Sequence, residues 1–96
     1  MKPSVALDLY RDEIKEIVLA NRASDPLVFG SVVHGTDTLE SDLDLLVTPT
    51  TKTTLMDLAR LQRSLETLLG VSVDILTPNS LSETFRTQVL KEAIPV

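Results

Sequence analysis

Apolar residues recur along the chain with the two spacings of regular structure, and each run predicts an element. Between Ser4 and Arg22, the residues Leu7, Tyr10, Ile14, Ile17 and Val18 fall three or four apart, on one face of a helix. Pro3 and Ser4 supply its start and cap, and Pro26 disfavours helical backbone at Asp25, so the helix ends near the sequence RASDP. A strand from Leu27 to Ser31 is expected next, then a loop from Val32 to Ser41. In DLDLLVT, the residues Leu43, Leu45 and Val47 alternate with Asp42, Asp44 and Leu46, the period of a strand with one apolar face. Leu55, Leu58, Leu61, Gln62, Leu65, Leu68 and Leu69 trace a second helical stripe, opened by Thr54 and Asp57 at capping-box spacing and closed by Gly70. Val71, Val73 and Ile75 alternate with Ser72, Asp74 and Leu76 in a third strand. Ser80 and Glu83 repeat the capping-box spacing ahead of Leu81, Phe85, Val89 and Leu90, a last helix that ends before Pro95.

The order helix, strand, loop, strand, helix, strand, helix predicts an α/β fold of the α+β kind: a small mixed β-sheet of at least three strands covered by helices. A helix between the second and third strands suits a right-handed parallel crossover. If the first two strands run antiparallel, the end of one and the beginning of the next share a rim. Gly30 and Ser31 then become neighbours of Asp42 and Asp44. A chain of 96 residues with 43% apolar content fits a single domain, residues 1–96.

Charge and composition narrow the chemistry. Fourteen acidic against nine basic residues give a net charge of −5, which argues against nucleic acid as a direct partner, because phosphate backbones are bound by clustered Lys and Arg. With one Tyr, two Phe and no Trp there is no stacking platform for single strands. No apolar run approaches the roughly 20 residues a membrane-spanning helix needs. The amino terminus reaches charge before a signal-peptide core could form, so a cytoplasmic location is expected. With no cysteine and only His34 as histidine, thiolate chemistry and a Cys/His zinc site are excluded, and any metal must be held by oxygen. The sequence leaves a homo-oligomer open.

Asp42, Asp44 and Asp74 would gather three negative charges on one sheet face, where in a partly dry site at least one would take up a proton unless a cation compensates. Mg²⁺ matches such a set, because it accepts a few carboxylate oxygens, keeps several waters and completes its octahedron with substrate phosphates. Two such ions can activate an attacking oxygen and stabilise a leaving pyrophosphate. Gly30 lets backbone approach a phosphate closely, and the next N–H groups with the Ser31 hydroxyl can bond its oxygens. Gly35 lets the loop turn back, and His34 beside it is either a phosphate contact or an exposed loop residue. Taken singly, each feature has an ordinary reading: a turn for Gly-Ser, an Asx turn for Asp42, an edge charge for Asp74. Their conjunction is specific. Arg60, Arg63, Arg86 and Lys91 read as the solvated faces of their helices.

The stretch GSVVHGTDTLESDLDLLV, followed later by VSVDILTP, resembles the signature of the minimal nucleotidyltransferases of the DNA polymerase β-like superfamily. That signature is Gly-Ser, a short loop with Gly, Ser-Asp-x-Asp-Leu, and a third aspartate on a later strand. The resemblance spans nearly the whole chain, through the Thr77-Pro78 turn to the ending KEAIPV. It implies a mixed sheet with helices and Mg²⁺-dependent transfer of a nucleotidyl group from ATP. Asp42 and Asp44 would ligate metal, Asp74 would complete the site and help deprotonate the acceptor hydroxyl, and Gly30 and Ser31 would hold the triphosphate. His34 stands where the family usually carries arginine. Small stand-alone members of this kind are antitoxins of helical HEPN-domain toxins, which implies a HEPN-type partner and AMP transfer to one of its hydroxyls, a tyrosine. The alternative is a binding module that neutralises the toxin by complex formation alone. Transfer to a small molecule is a third reading, against which the chain's shortness speaks.

Overall fold

The computed structural model describes residues 1–96. Helices α1 (Pro3–Leu9) and α2 (Arg11–Ala20) lead into β1 (Ala23–Phe29), and a short α3 (Ser31–His34) precedes β2 (Leu43–Pro49). Helix α4 (Leu55–Leu69), β3 (Val73–Leu76), a 3₁₀ turn (Pro78–Ser80), α5 (Glu83–Glu92) and β4 (Ile94–Pro95) complete the chain. The sheet order is β3-β2-β1-β4. β1 runs antiparallel to β2 and β4, whereas β2 and β3, joined through α4, are parallel. Both the shared rim and the parallel crossover expected from the sequence are therefore present.

Alternation in β2 divides the two faces of the sheet. Leu43, Leu45 and Val47 are fully buried in the larger core, against Ala6, Leu7, Ile14 and Val18 from α1 and α2 and Leu61, Leu65 and Leu69 from α4. Leu46, on the other face, joins Phe29, Leu81 and Val89 in a smaller cluster beneath α5. Burying one such side chain contributes about 1.5–3 kcal/mol, so the larger cluster carries most of the stability. The smaller one leaves the N-terminal end of β2 open on its acidic face. Helix α4 is bounded as its sequence dictates: Asp57 N–H donates to Thr54 Oγ1 at 3.1 Å, and Thr54 N–H to Asp57 Oδ2 at 2.9 Å. Gly70 ends it at a left-handed φ of 68°.

Five expectations need correction. The single helix from Ser4 to Arg22 is two, broken at Tyr10, whose ψ of 26° turns the chain so that Ala6 and Leu7 reach the same core as Ile14. The first strand is Ala23–Phe29 rather than Leu27 to Ser31, because pairing with β2 continues across a register shift between Ser24 and Leu27, where Asp25 takes a positive φ of 49°. Ser31, expected to end that strand, instead opens α3, whose Val32–His34 lie in the stretch expected to be loop. The last helix is capped by Ser82, which accepts from Phe85 N–H, while Ser80 closes the 3₁₀ turn against Thr77. Leu55, Phe85 and Leu90 lie exposed, outside the stripes that pack. Consistent with the expected sheet of at least three strands, a fourth, Ile94–Pro95, pairs with Val28 and Leu27 after α5.

Candidate active site

β2 and β3 are in register with Asp44 beside Asp74, and neighbouring residues of adjacent strands share a face. Asp44 is half-buried, while Asp42, just ahead of β2, and Asp74 are exposed. Burial, then the charge of Asp74 and a hydrogen bond to its side chain, then the charge of Asp42, push the Asp44 carboxyl up to about 6. The tight acidic pair is therefore Asp44 with Asp74, and Asp42 acts on it through its charge from the start of the strand. No three acidic or histidine side chains stand close enough together to enclose an ion in the arrangement seen. The donor chemistry nonetheless fits a hard divalent cation: the groups are all carboxylate oxygens, and the repulsion felt at Asp44 is what such an ion would relieve.

Gly30 follows β1 and packs directly against Asp44 of this pair. Its φ of 78° and ψ of −148° lie where essentially only glycine goes, and a Cβ there would collide with Asp44 Oδ2. Val33 and His34 N–H donate to Gly30 C=O at 3.1 and 3.2 Å, which leaves the Ser31 and Val32 N–H groups without a partner in the chain. Gly35, at φ 71°, reverses the backbone, with Gly35 N–H donating to Val32 C=O at 3.3 Å and Thr36 N–H to Ser31 C=O at 3.0 Å. Gly30, Ser31, Asp44 and Asp74 thus meet at one open rim, with Asp42 at its edge. A groove of about 370 Å³ elsewhere, between α2 and the β1–β4 edge, is lined by Lys15, Leu19, Leu27 and Pro95 and holds no such set.

His34 is placed differently from a free phosphate contact. Its Nε2 lies 3.0 Å from Glu92 Oε2, at the end of α5, with the ring about half exposed. An exposed contact of this kind is worth no more than about 1 kcal/mol, so His34→Ala is expected to leave nucleotidyl transfer within about fivefold of the parent. A larger loss in a steady-state assay would place the imidazole on the substrate. Arg86 is occupied structurally: its Nε donates to Pro78 C=O at 2.6 Å and its Nη2 to Leu81 C=O at 2.9 Å, clamping the turn after β3. Asp37, which the sequence pattern does not single out, is buried and accepts from Ser4 N–H at 2.9 Å. That bond holds its carboxyl below the ordinary range.

The family described as polymerase beta, nucleotidyltransferase matches residues 12–96. A protein of Methanocaldococcus jannaschii, provisionally named protein adenylyltransferase MJ0435, is 36% identical over 84 residues, covering 88% of this chain and 90% of its own. A solved structure described provisionally as a minimal nucleotidyltransferase superposes with a TM-score of 0.89 at 43% identity, covering 100% of this chain and 97% of the other. An MNT antitoxin solved with a tri-AMPylated HEPN toxin of Shewanella oneidensis shares the fold, with a TM-score of 0.70 at 20% identity over 92% of this chain and 69% of the other. The chain belongs to the polymerase beta nucleotidyltransferase family, among its minimal members.

Proposed function

We propose that this chain transfers AMP from ATP to a hydroxyl of a HEPN-type partner protein, a tyrosine in the simplest case, and silences that partner as its antitoxin. The observation that carries this reading is the packing of the Gly30 turn onto Asp44, itself in register with Asp74. A triphosphate lying on the free N–H groups of Ser31 and Val32 would present its α-phosphorus toward the carboxylate pair. The acceptor oxygen attacks that phosphorus, the bond to the bridging oxygen of the β-phosphate breaks, and pyrophosphate departs. The acceptor's proton passes to a carboxylate of the rim, for which exposed Asp74 is the candidate. Asp42, Asp44 and Asp74 would hold Mg²⁺, two ions in the full arrangement, which supply charge neutralisation to the leaving pyrophosphate when bound.

Support comes from three sides: family membership, the AMPylated toxin held by a protein of the same fold, and a provisionally named adenylyltransferase among the relatives. Incubation with ATP labelled at either the α- or the γ-phosphorus tests the reaction type. Label is expected in the partner from α-labelled ATP alone, and only with Mg²⁺. Label from the γ-position would make the reaction phosphoryl transfer and overturn the reading.

A further inference from the structure

One hydrogen bond ties the middle of the loop that delivers Asp42 to the rim to a distant part of the fold. Within it, Thr38 N–H donates to Ser41 Oγ at 2.8 Å, Glu40 N–H to Thr38 Oγ1 at 3.3 Å, and Ser41 N–H to Thr38 C=O at 3.1 Å. Those bonds make residues 38–41 a self-closed unit but attach it to nothing else. The bonds of Gly35 and Thr36 reach back only to α3. Asp37 makes the segment's one hydrogen bond to a distant element: its Oδ2 accepts from Ser4 N–H at 2.9 Å, in the first turn of α1, with the charge of Lys2 nearby. The Asp37 residue is 9% exposed, although the loop around it is open to solvent. Asp42 follows directly on this unit, five residues after Asp37, and its neighbour Leu43 is fixed by donating its N–H to Ser72 C=O at 2.8 Å.

We propose, on the reading of Asp42, Asp44 and Asp74 as ion ligands, that Asp37 is a positioning residue: by docking the loop on the N-terminus of α1, it sets where Asp42 stands relative to the Asp44–Asp74 pair. The device joins the site to a helix, Pro3–Leu9, that lies ahead of the residues matched by the family. A side chain that only capped α1 would affect stability. One that places Asp42 must also affect ion affinity, because partners that orient ligands typically change metal affinity by about 10- to 100-fold when removed.

The test is Mn²⁺ binding to the full chain, followed by the electron paramagnetic resonance of free Mn²⁺ well below the thermal midpoint, with amide hydrogen exchange of residues 35–43 read alongside. Asp37→Ala is expected to weaken Mn²⁺ at least about tenfold and to speed exchange at Thr38 and Ser41. Asp37→Asn, which keeps the acceptor for Ser4 N–H, is expected to stay within about threefold of the parent. Asp37→Glu keeps charge and acceptor but lengthens the arm, and is expected to fall between them; it decides the matter if the alanine variant does not fold. Unchanged Mn²⁺ affinity in the alanine or glutamate variant, with a lowered midpoint, would reduce Asp37 to a helix cap and overturn the proposal. A parent chain that binds no Mn²⁺ would instead overturn the ion-site reading, and the positioning role with it.

Discussion

Asp44→Asn is expected to abolish nucleotidyl transfer, by at least about a thousandfold, while making the metal-free protein more stable at pH 8. The loss follows from removing the half-buried member of the acidic pair, the proposed ion ligand, whose carboxylate lies against both Asp74 and the Gly30 turn. The gain follows from the same crowding. The Asp44 carboxyl is pushed up to about 6 by burial first and then by Asp74 and Asp42, so the folded protein binds that proton more tightly than the unfolded chain does. Ionising Asp44 therefore costs stability. The cost is complete above the folded value, shrinks as pH falls through about 6, and is gone below the ordinary carboxylate value of 3.8. Because the group is partly solvated, the cost is discounted to about 1 kcal/mol, which corresponds to about 4–8 °C in thermal midpoint for a domain of this size. Melting curves in EDTA at pH 8 and pH 4 check both halves: the asparagine variant should melt higher at pH 8, and most of that advantage should be gone at pH 4. An equal advantage at both would mean that charge is not its origin.

Gly30→Ala should damage both the turn and the carboxylate at once. The backbone there is at φ 78° and ψ −148°, a region that costs a residue with a Cβ about 1–3 kcal/mol. The added methyl would also displace Asp44, whose Oδ2 and Cγ stand where it must go. A thermal midpoint lower by at least about 4 °C is expected. Transfer should fall about a hundredfold or more, since a shift of the order of 1 Å in a reacting group costs that much. Gly35→Ala is the matched control. Its φ of 71° imposes strain of the same kind, but nothing lies within 4 Å of the added methyl, so the folded variant should retain far more transfer. Equal losses of activity in the two variants would remove the direct contact between the turn and Asp44 from the account.

Local chemistry made much of this legible in the sequence. The alternation around Leu43, Leu45 and Val47 and the Thr54–Asp57 box each involve residues a few positions apart, so sequence spacing alone reports them. What escaped depends on partners far along the chain. The strand Ile94–Pro95 exists only because Val28 and Leu27 offer it an edge, and the break at Tyr10 has no glycine or proline to announce it. The capping-box spacing at Ser80 pointed to the wrong serine, because Thr77 holds Ser80 in a turn and leaves Ser82 to cap α5. At the site, the same limit applies. Asp42, Asp44 and Asp74 were visible as a pattern, yet the register that sets Asp44 beside Asp74 and leaves Asp42 at the edge is a property of the sheet. His34 meets Glu92 across 58 positions and Asp37 meets Ser4 across 33, distances at which no periodicity is informative.

Intact-mass spectrometry of the HEPN-type partner, after incubation with this chain and MgATP and with an EDTA control, tests the central claim most directly. The account predicts mass gains in whole AMP units that require the metal and disappear with Asp44→Asn. A stable complex that silences the partner with no change in its mass would contradict it and leave neutralisation by binding as the function.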